Sequence, residues 1–446
     1  MTGAEVYHAD YAWLGGDVAA ADVRIEVAAG RIVAVKAGAE RDGRAAHLPG
    51  LTLPGLANAH SHAFHRALRG RTHRGGGSFW TWREDMYRVA ARLTPDSYYE
   101  LASATYAEMA LAGITCVGEF HYVHHDLGGV RYADANAFGH ALIAAAEAAG
   151  IRITLLDTCY LAGGIGQPLE GPQLRFGDGD ALSWGSRAAD LTGGSNARIG
   201  AAIHSVRAVP ADQLRTVAAW ANERQVPLHF HVSEQRAENE ACVAAHGCTP
   251  VQLLDQHGAL GSRSCAVHAT HLDDADIALL GGTRTTVCMC PTTERDLADG
   301  IGPARALAQA GAPLVLGSDS NAVIDMFEET RALELDERLA TERRGHWAVG
   351  ELLDAACAGG HASLGWPEAG SLQVGAPADF VTVGLGSVRL AGAAPETLLE
   401  SVVFGASTPD VRELVVSGRP VVHEGRHVSV SDVAGALDAA IGAVLA

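Results

Sequence analysis

No apolar run in the chain approaches the roughly 20 residues that a helix needs to cross a bilayer. Residues 1–20 also lack the basic-then-apolar layout of a signal peptide. The expectation is a soluble, cytoplasmic protein. Positive charge is scarce: 33 Lys and Arg stand against 52 Asp and Glu, a formal net charge of −19. Nucleic acid and anionic membrane both need a basic face to release counterions or meet headgroups, so neither is an expected partner. The 8 cysteines form no C-x-x-C pair. In a cytosolic chain this points to reduced, mostly buried thiols rather than a disulfide or zinc-ribbon framework. Lysine is nearly absent, since Lys36 is the only one and every other basic side chain is Arg or His.

What is present is a large apolar fraction, 48% of 446 residues, enough for one large α/β domain with an accessory module. From residue 55 to about 370, short β-branched or apolar runs alternate with Ala-rich segments of helical period. The candidate strands are 56–60, 114–120, 151–160, 199–206, 226–234, 264–272, 285–290 and 313–320. Three of the intervening helices end in Ala-Gly just before the next strand, at Gly113, Gly150 and Gly311. Eight strands with intervening helices predict a (β/α)8 TIM barrel over residues 53–370. Residues 1–52 and 371–446 do not follow that repeat. Their Gly-punctuated strands and hairpins predict a small β-sandwich domain built from both termini. The stretch "RTHRGGGSFWTW" (71–82) reads as a flexible loop.

His60 and His62 end the first predicted strand in "ANAHSH". Side chains two apart on a strand point the same way, so the pair can share one ion. Alone, H-x-H fits structural or loop histidines equally well. The other strand ends add His231 and Glu234 ("HFHVSE"), His268 ("VHATH") and Asp319 ("LGSDS") on the same rim, where the catalytic residues of this fold gather. Imidazole and carboxylate favour zinc or another borderline transition ion, with room for a water of lowered pKa. A general acid/base must then move the proton, and Glu234, just past His231, is placed for it.

The segments "PGLANAHSH", "HFHVSE", "VHATHLD", "GSDS" and "GAPADFVTV" together resemble the metal-dependent amidohydrolase superfamily over nearly the full length. The resemblance implies His60, His62, His231 and Asp319 as metal ligands. It further implies Asp319 as acceptor of the water's proton, Glu234 as proton carrier to the substrate, and His268 as a hydrogen-bond partner of the nucleophile. His229 competes with His231, and His271 with His268; the register of the motifs favours His231 and His268. Two-metal members typically bridge their ions with a carboxylated lysine on the fourth strand, and no lysine occurs in this barrel, where that strand ends in His204. One divalent ion, Zn2+, is therefore the expected cofactor, with a carboxylate-bridged pair as the alternative.

The fold hosts many chemistries, so substrate class must come from residues near the ion. Arg83 in the first loop and Arg207 after the fourth strand offer planar donor forks that match carboxylates, which predicts a small-molecule dicarboxylate substrate. The competing reading pairs both arginines with internal Asp or Glu. The segments "AHSHAFHRAL", "GSFWTWREDMY", "GEFHYVHHD", "HSVRAV" and "CPTTERDLADGIGP" resemble those superfamily members that deiminate N-formimino-L-glutamate in histidine degradation. That resemblance implies substrate contacts from Arg83, Tyr122, His204 and Arg207, and a homodimer. It also puts a glutamine where this chain has His65, which can still donate a hydrogen bond. The loop 291–303 either closes over the substrate, with Arg295 as an extra contact, or lies on the surface. Two rival readings are a deaminase of the same type acting on a purine or pterin, and a metal-binding barrel without catalysis.

Overall fold

The computed structural model describes residues 5–73 and 77–446. Residues 1–4 of the expected N-terminal β segment and 74–76 of the expected loop 71–82 lie outside the described residues. Eight parallel strands form one sheet in sequence order: Leu56–Ser61, Ile114–His121, Arg152–Cys159, Ala197–Ile203, Leu228–Val232, Ser264–His268, Thr286–Met289 and Leu314–Leu316. Every residue of the first three is buried, as expected for parallel strands covered on one side by helices and filled on the other by the barrel interior.

All eight predicted strands are present, but the fourth, fifth, sixth and eighth stop short at their C-terminal ends. The expected runs reached 206, 234, 272 and 320; the strands end at Ile203, Val232, His268 and Leu316. In the last three the reason is local. Ser233, His268, Ala269 and Asp319 take positive φ (52°, 70°, 50° and 42°), a backbone state that ends extended structure and is uncommon for non-glycine residues. These turns sit at the rim where the ligand-type residues collect, the usual place for stored strain.

The last strand returns to the first through two backbone bonds. Asp319 N–H donates to the His60 carbonyl at 2.9 Å, and His62 N–H donates to the Asp319 carbonyl at 3.0 Å. Gly317 N–H donates to Met289 on the neighbouring strand at 3.0 Å. Closure of the barrel and placement of Asp319 beside the two histidines are thus one structural event.

Strands from both chain ends form a second, mixed sheet of eight strands with its own apolar core, including Tyr7, Ile25, Ile32 and Phe380. The two ends meet where Phe380–Val383 pairs antiparallel with Ala46–Pro54. A buried ion pair fastens this sheet to the barrel: Arg152 Nε on the third barrel strand donates to Asp379 Oδ2 at 2.8 Å. The C-terminal segment is not purely β. "LLESVVFG" forms the helix Leu398–Gly405, because Leu398, Leu399, Val402 and Val403 fall on one helical face and are buried. The final helix, Val433–Leu445, packs on the barrel helix Pro95–Leu111.

Candidate active site

The C-terminal rim of the barrel gathers one tight group of ligand atoms. His60, His62, His231 and Asp319 each offer an atom within 4.8 Å of the others, and all four are buried. Asp319 Oδ1 lies 3.2 Å from His60 Nε2 and 3.3 Å from His62 Nε2. Main-chain carbonyls fix two of the rings. His62 Nδ1 bonds the Phe120 oxygen and His231 Nδ1 the His204 oxygen, each at 2.9 Å. A carbonyl only accepts, so each Nδ1 carries the proton and each Nε2 presents a lone pair inward.

Burial drives His231 well below the ordinary histidine range, with His60 and His204 adding to the effect. Burial likewise takes His60 down to about 3, against the opposing pull of Asp319. Burial works against the Asp319 charge, but the adjoining His60 and His62 rings, with His268, hold its carboxyl well below the usual range. Neutral imidazoles and an ionised carboxylate are the forms that bind a metal. The Nε2 atoms of His60 and His231 stand only 3.1 Å apart, a separation that two lone pairs tolerate only with a proton or cation between them. Three imidazole nitrogens and one carboxylate oxygen therefore fit a divalent ion of the zinc type.

Two other groupings of ligand-type side chains occur among the described residues. In His121–His124–Asp157, the carboxylate is already taken. Arg187 donates to both of its oxygens at 2.9 Å and Trp184 Nε1 to one at 2.8 Å. In His268–Cys290–Glu294, Oε1 of Glu294 accepts from Cys290 N–H at 2.8 Å and faces His268 Nδ1 at 3.4 Å.

His268 stands between acids. Its Nε2 is 3.8 Å from both Glu234 Oε1 and Asp319 Oδ2. Burial opposes an imidazolium here, but Glu234, the bond to Glu294, and Asp319 together push His268 up to about 10. Burial raises the Glu234 carboxyl, while His268 and Arg207 pull it down. A carboxyl group able to carry a proton and a cationic donor thus sit side by side next to the candidate ligands.

A cavity opens from this group. All five sequence-predicted contact residues, His65, Arg83, Tyr122, His204 and Arg207, line it. Arg83 comes from the helix Phe79–Ala90. Its donors go to the Tyr87 hydroxyl and, at 3.2 Å, the Gly163 carbonyl, and among the described residues no carboxylate pairs with it. Arg207 is different. It lies near Glu234 and Glu238, as the competing reading anticipated for an internal pair. His65 Nε2 is 2.9 Å from the Tyr122 hydroxyl, which in turn reaches Met86 Sδ at 3.4 Å. Burial, with His62 adding, keeps His65 well below the usual range, so it is neutral and joined to Tyr122.

The competitors fall away by position. His229 lies deep in the barrel with Nε2 on the Ser363 carbonyl, and His271 follows the sixth strand away from the ligand group. Residues 291–303 are a loop only from 297 onward. Pro291–Asp296 is a short helix, and Arg295 turns outward to Glu328 at 3.0 Å, half-exposed and clear of the cavity, while Leu297 lines it. Sequence reasoning missed Glu294 and Glu238. "PTTERD" carried the first as a loop acid, and the second shares its helix with other surface-type residues, so only the fold shows either one buried beside the site.

Comparison with known proteins agrees with this geometry. The amidohydrolase family matches residues 51–421. A formimidoylglutamate deiminase from Pseudomonas aeruginosa is 40% identical over 440 residues, which cover 96% of each chain. A 5-methylthioadenosine/S-adenosylhomocysteine deaminase from Natronomonas pharaonis is 29% identical over 93% of this chain and 91% of that one. The crystal structure of an amidohydrolase from Brucella melitensis superposes with a TM-score of 0.91 at 35% identity, over 99% of this chain and all of that one. With a barrel closed onto His60 and Asp319 and a family match that spans the barrel and part of the terminal sheet, the chain belongs to the amidohydrolase family.

Proposed function

We propose that the protein hydrolyses N-formimino-L-glutamate to N-formyl-L-glutamate and ammonia. The observation that carries this reading is Arg83, a guanidinium without a carboxylate partner among the described residues, in the same cavity as the His60–His62–His231–Asp319 group. A half-buried cation with free donors favours an anionic ligand, and Arg207 offers a second fork for a second carboxylate. The relative from Pseudomonas aeruginosa named for this activity supports the same substrate.

His60, His62, His231 and Asp319 would hold one divalent ion, with zinc as our assignment from the donor set. Such an ion supplies a water acidified toward pKa ~7. Around it the chain's own groups have distinct work. Asp319 accepts the proton of the attacking water, and His268 Nε2 faces the oxygen that develops charge. Arg83, Arg207, Tyr122, His204 and His65 fix the substrate so that its amidine carbon faces the water. Glu234 passes a proton to the departing nitrogen, which leaves with the bonding electron pair as ammonia.

The reading places catalysis in residues 53–370 and assigns residues 1–52 and 371–446 to an accessory domain. From the family resemblance it also takes a cytoplasmic homodimer acting in histidine degradation. The test is ammonia release from N-formimino-L-glutamate by metal-loaded and chelator-stripped protein, with N-formimino-L-aspartate and guanine alongside. Metal-dependent turnover confined to the glutamate compound is the expected result. Turnover of guanine alone would discard the substrate and keep the site.

A further inference from the structure

Arg207 belongs to both halves of the site. It lines the substrate cavity, yet its Nη2 lies 3.5 Å from Oε2 of Glu234 and its Nε 3.8 Å from Oε2 of Glu238. Neither approach completes the side chain's bonding. Arg207 Nε has no hydrogen-bond partner, and both carboxylate oxygens of Glu238 are buried without one. The guanidinium rests over the Phe79 ring, 5.5 Å from its centroid. Phe79 opens the helix that also carries Arg83. A fork held at middle distance between two carboxylates, with unfilled donors and an apolar surface beneath it, is able to move toward a third carboxylate at small cost.

We propose that Arg207 couples recognition of a substrate carboxylate to the proton carrier: before substrate binds it restrains Glu234, and an arriving carboxylate draws the guanidinium away and releases Glu234 for proton transfer. The inference rests on the reading that Arg207 takes a carboxylate of the substrate. Its physical basis is competition for one cation. A guanidinium 3.5 Å from Glu234 favours its carboxylate ion, the form with no proton to give, and so works against the burial that favours the acid. A substrate carboxylate that takes the fork in bidentate geometry removes that hold. Glu234 can then take up a proton shed by the attacking water and pass it to nitrogen. The new C=O bond forms as the C–N bond breaks with its electron pair on nitrogen, ammonia leaves, and Glu234 returns to the carboxylate ion. Glu238 keeps a share of the guanidinium throughout and so prevents its full collapse onto Glu234.

Under this coupling, specificity acts on kcat as well as on binding. A compound that reaches the metal but lacks the carboxylate for Arg207 leaves the proton carrier restrained. The experiment uses zinc-loaded full-length protein and three substrates: N-formimino-L-glutamate, N-formimino-4-aminobutyrate without the α-carboxylate, and N-formimino-L-2-aminobutyrate without the γ-carboxylate. Each is assayed with wild type and Arg207→Met, and with acetate against chloride at equal ionic strength. For one truncated compound, kcat of the wild type is expected to rise about tenfold on adding acetate, and by a similar factor in Arg207→Met. A residue that only binds substrate would not raise turnover when removed. The acetate arm needs no variant and decides the matter if Arg207→Met does not fold. If the wild type turns over the intact glutamate compound while both truncated compounds ignore acetate and gain nothing from Arg207→Met, this inference is overturned alone. No turnover of the intact compound overturns the substrate reading and this inference with it.

Discussion

Gly317 and His60 touch backbone to backbone. A Cβ built on Gly317 would stand 2.8 Å from the His60 Cβ and 2.9 Å from its carbonyl oxygen, closer than real Cβ atoms come. Because Asp319 is hydrogen-bonded to the same His60 carbonyl, the glycine is what lets the eighth strand bring its carboxylate to the histidines. Gly317→Ala is therefore expected to push these strands apart and weaken metal binding about 10- to 100-fold, the range for disturbed supports of a metal ligand. Competition with a chromophoric chelator measures it. Unchanged affinity would show that the contact relaxes without moving Asp319.

Glu234→Gln keeps the size of the side chain and removes its ability to carry a proton. Metal content is expected to stay at the wild-type level while kcat drops by about 10²–10⁴-fold. Metal analysis and initial rates on the same preparation give both quantities, and a near-normal rate would remove Glu234 from proton transfer.

Much of this was legible in the sequence because the relevant signals are local. Strand runs and Ala-Gly helix ends predict the barrel, and His60, His62, His231 and Asp319 stand at or just past strand ends that can be read one at a time. What stayed hidden depends on contacts between distant segments. The partnership of Arg207 with Glu234 and Glu238 joins the fourth strand end to the helix after the fifth, and nothing in "HSVRAV" announces it. Asn58, Ser318 and Asn321 form a buried clasp that holds the eighth strand end against the first: Ser318 N–H donates to Asn58 Oδ1 at 2.9 Å and Asn321 Nδ2 to the His62 carbonyl at 3.0 Å. Short polar residues of this kind read as ordinary turn residues until their partners are known. The positive-φ turns that shorten three strands are equally silent, since periodicity reports which face is buried and not where extension ends.

Under the proposed function, Arg83 is expected to contribute most when a carboxylate is bound. Its present partners are neutral oxygens, and a hydrogen-bonded ion pair adds about 1.5–3 kcal/mol over their loss. Arg83→Met is thus expected to raise KM for N-formimino-L-glutamate roughly ten- to hundredfold, with kcat changed far less. Steady-state kinetics across a wide substrate range separates the two constants. An unchanged KM would mean that the substrate's carboxylates bind elsewhere.

Glu238 gives the fold a pH dependence of defined sign. Burial raises its carboxyl to about 7 from an ordinary value of 4.5, with Arg207 opposing the rise and Glu234 adding to it. Between those two values the folded chain holds a proton that the unfolded chain has already released, so raising the pH favours unfolding. The Glu238 contribution to stability is complete below pH 4.5 and lost as pH rises through about 7, a difference on the order of 3 kcal/mol. Glu238→Gln cannot ionise and escapes this loss. Its stability relative to wild type is expected to improve from pH 5 to pH 8, whatever the offset at pH 5 from exchanging the side chain. Urea unfolding of both proteins at the two pH values reads the change directly. A gap that stays constant with pH would mean that Glu238 ionises as an ordinary carboxylate and that Arg207, not burial, sets its charge.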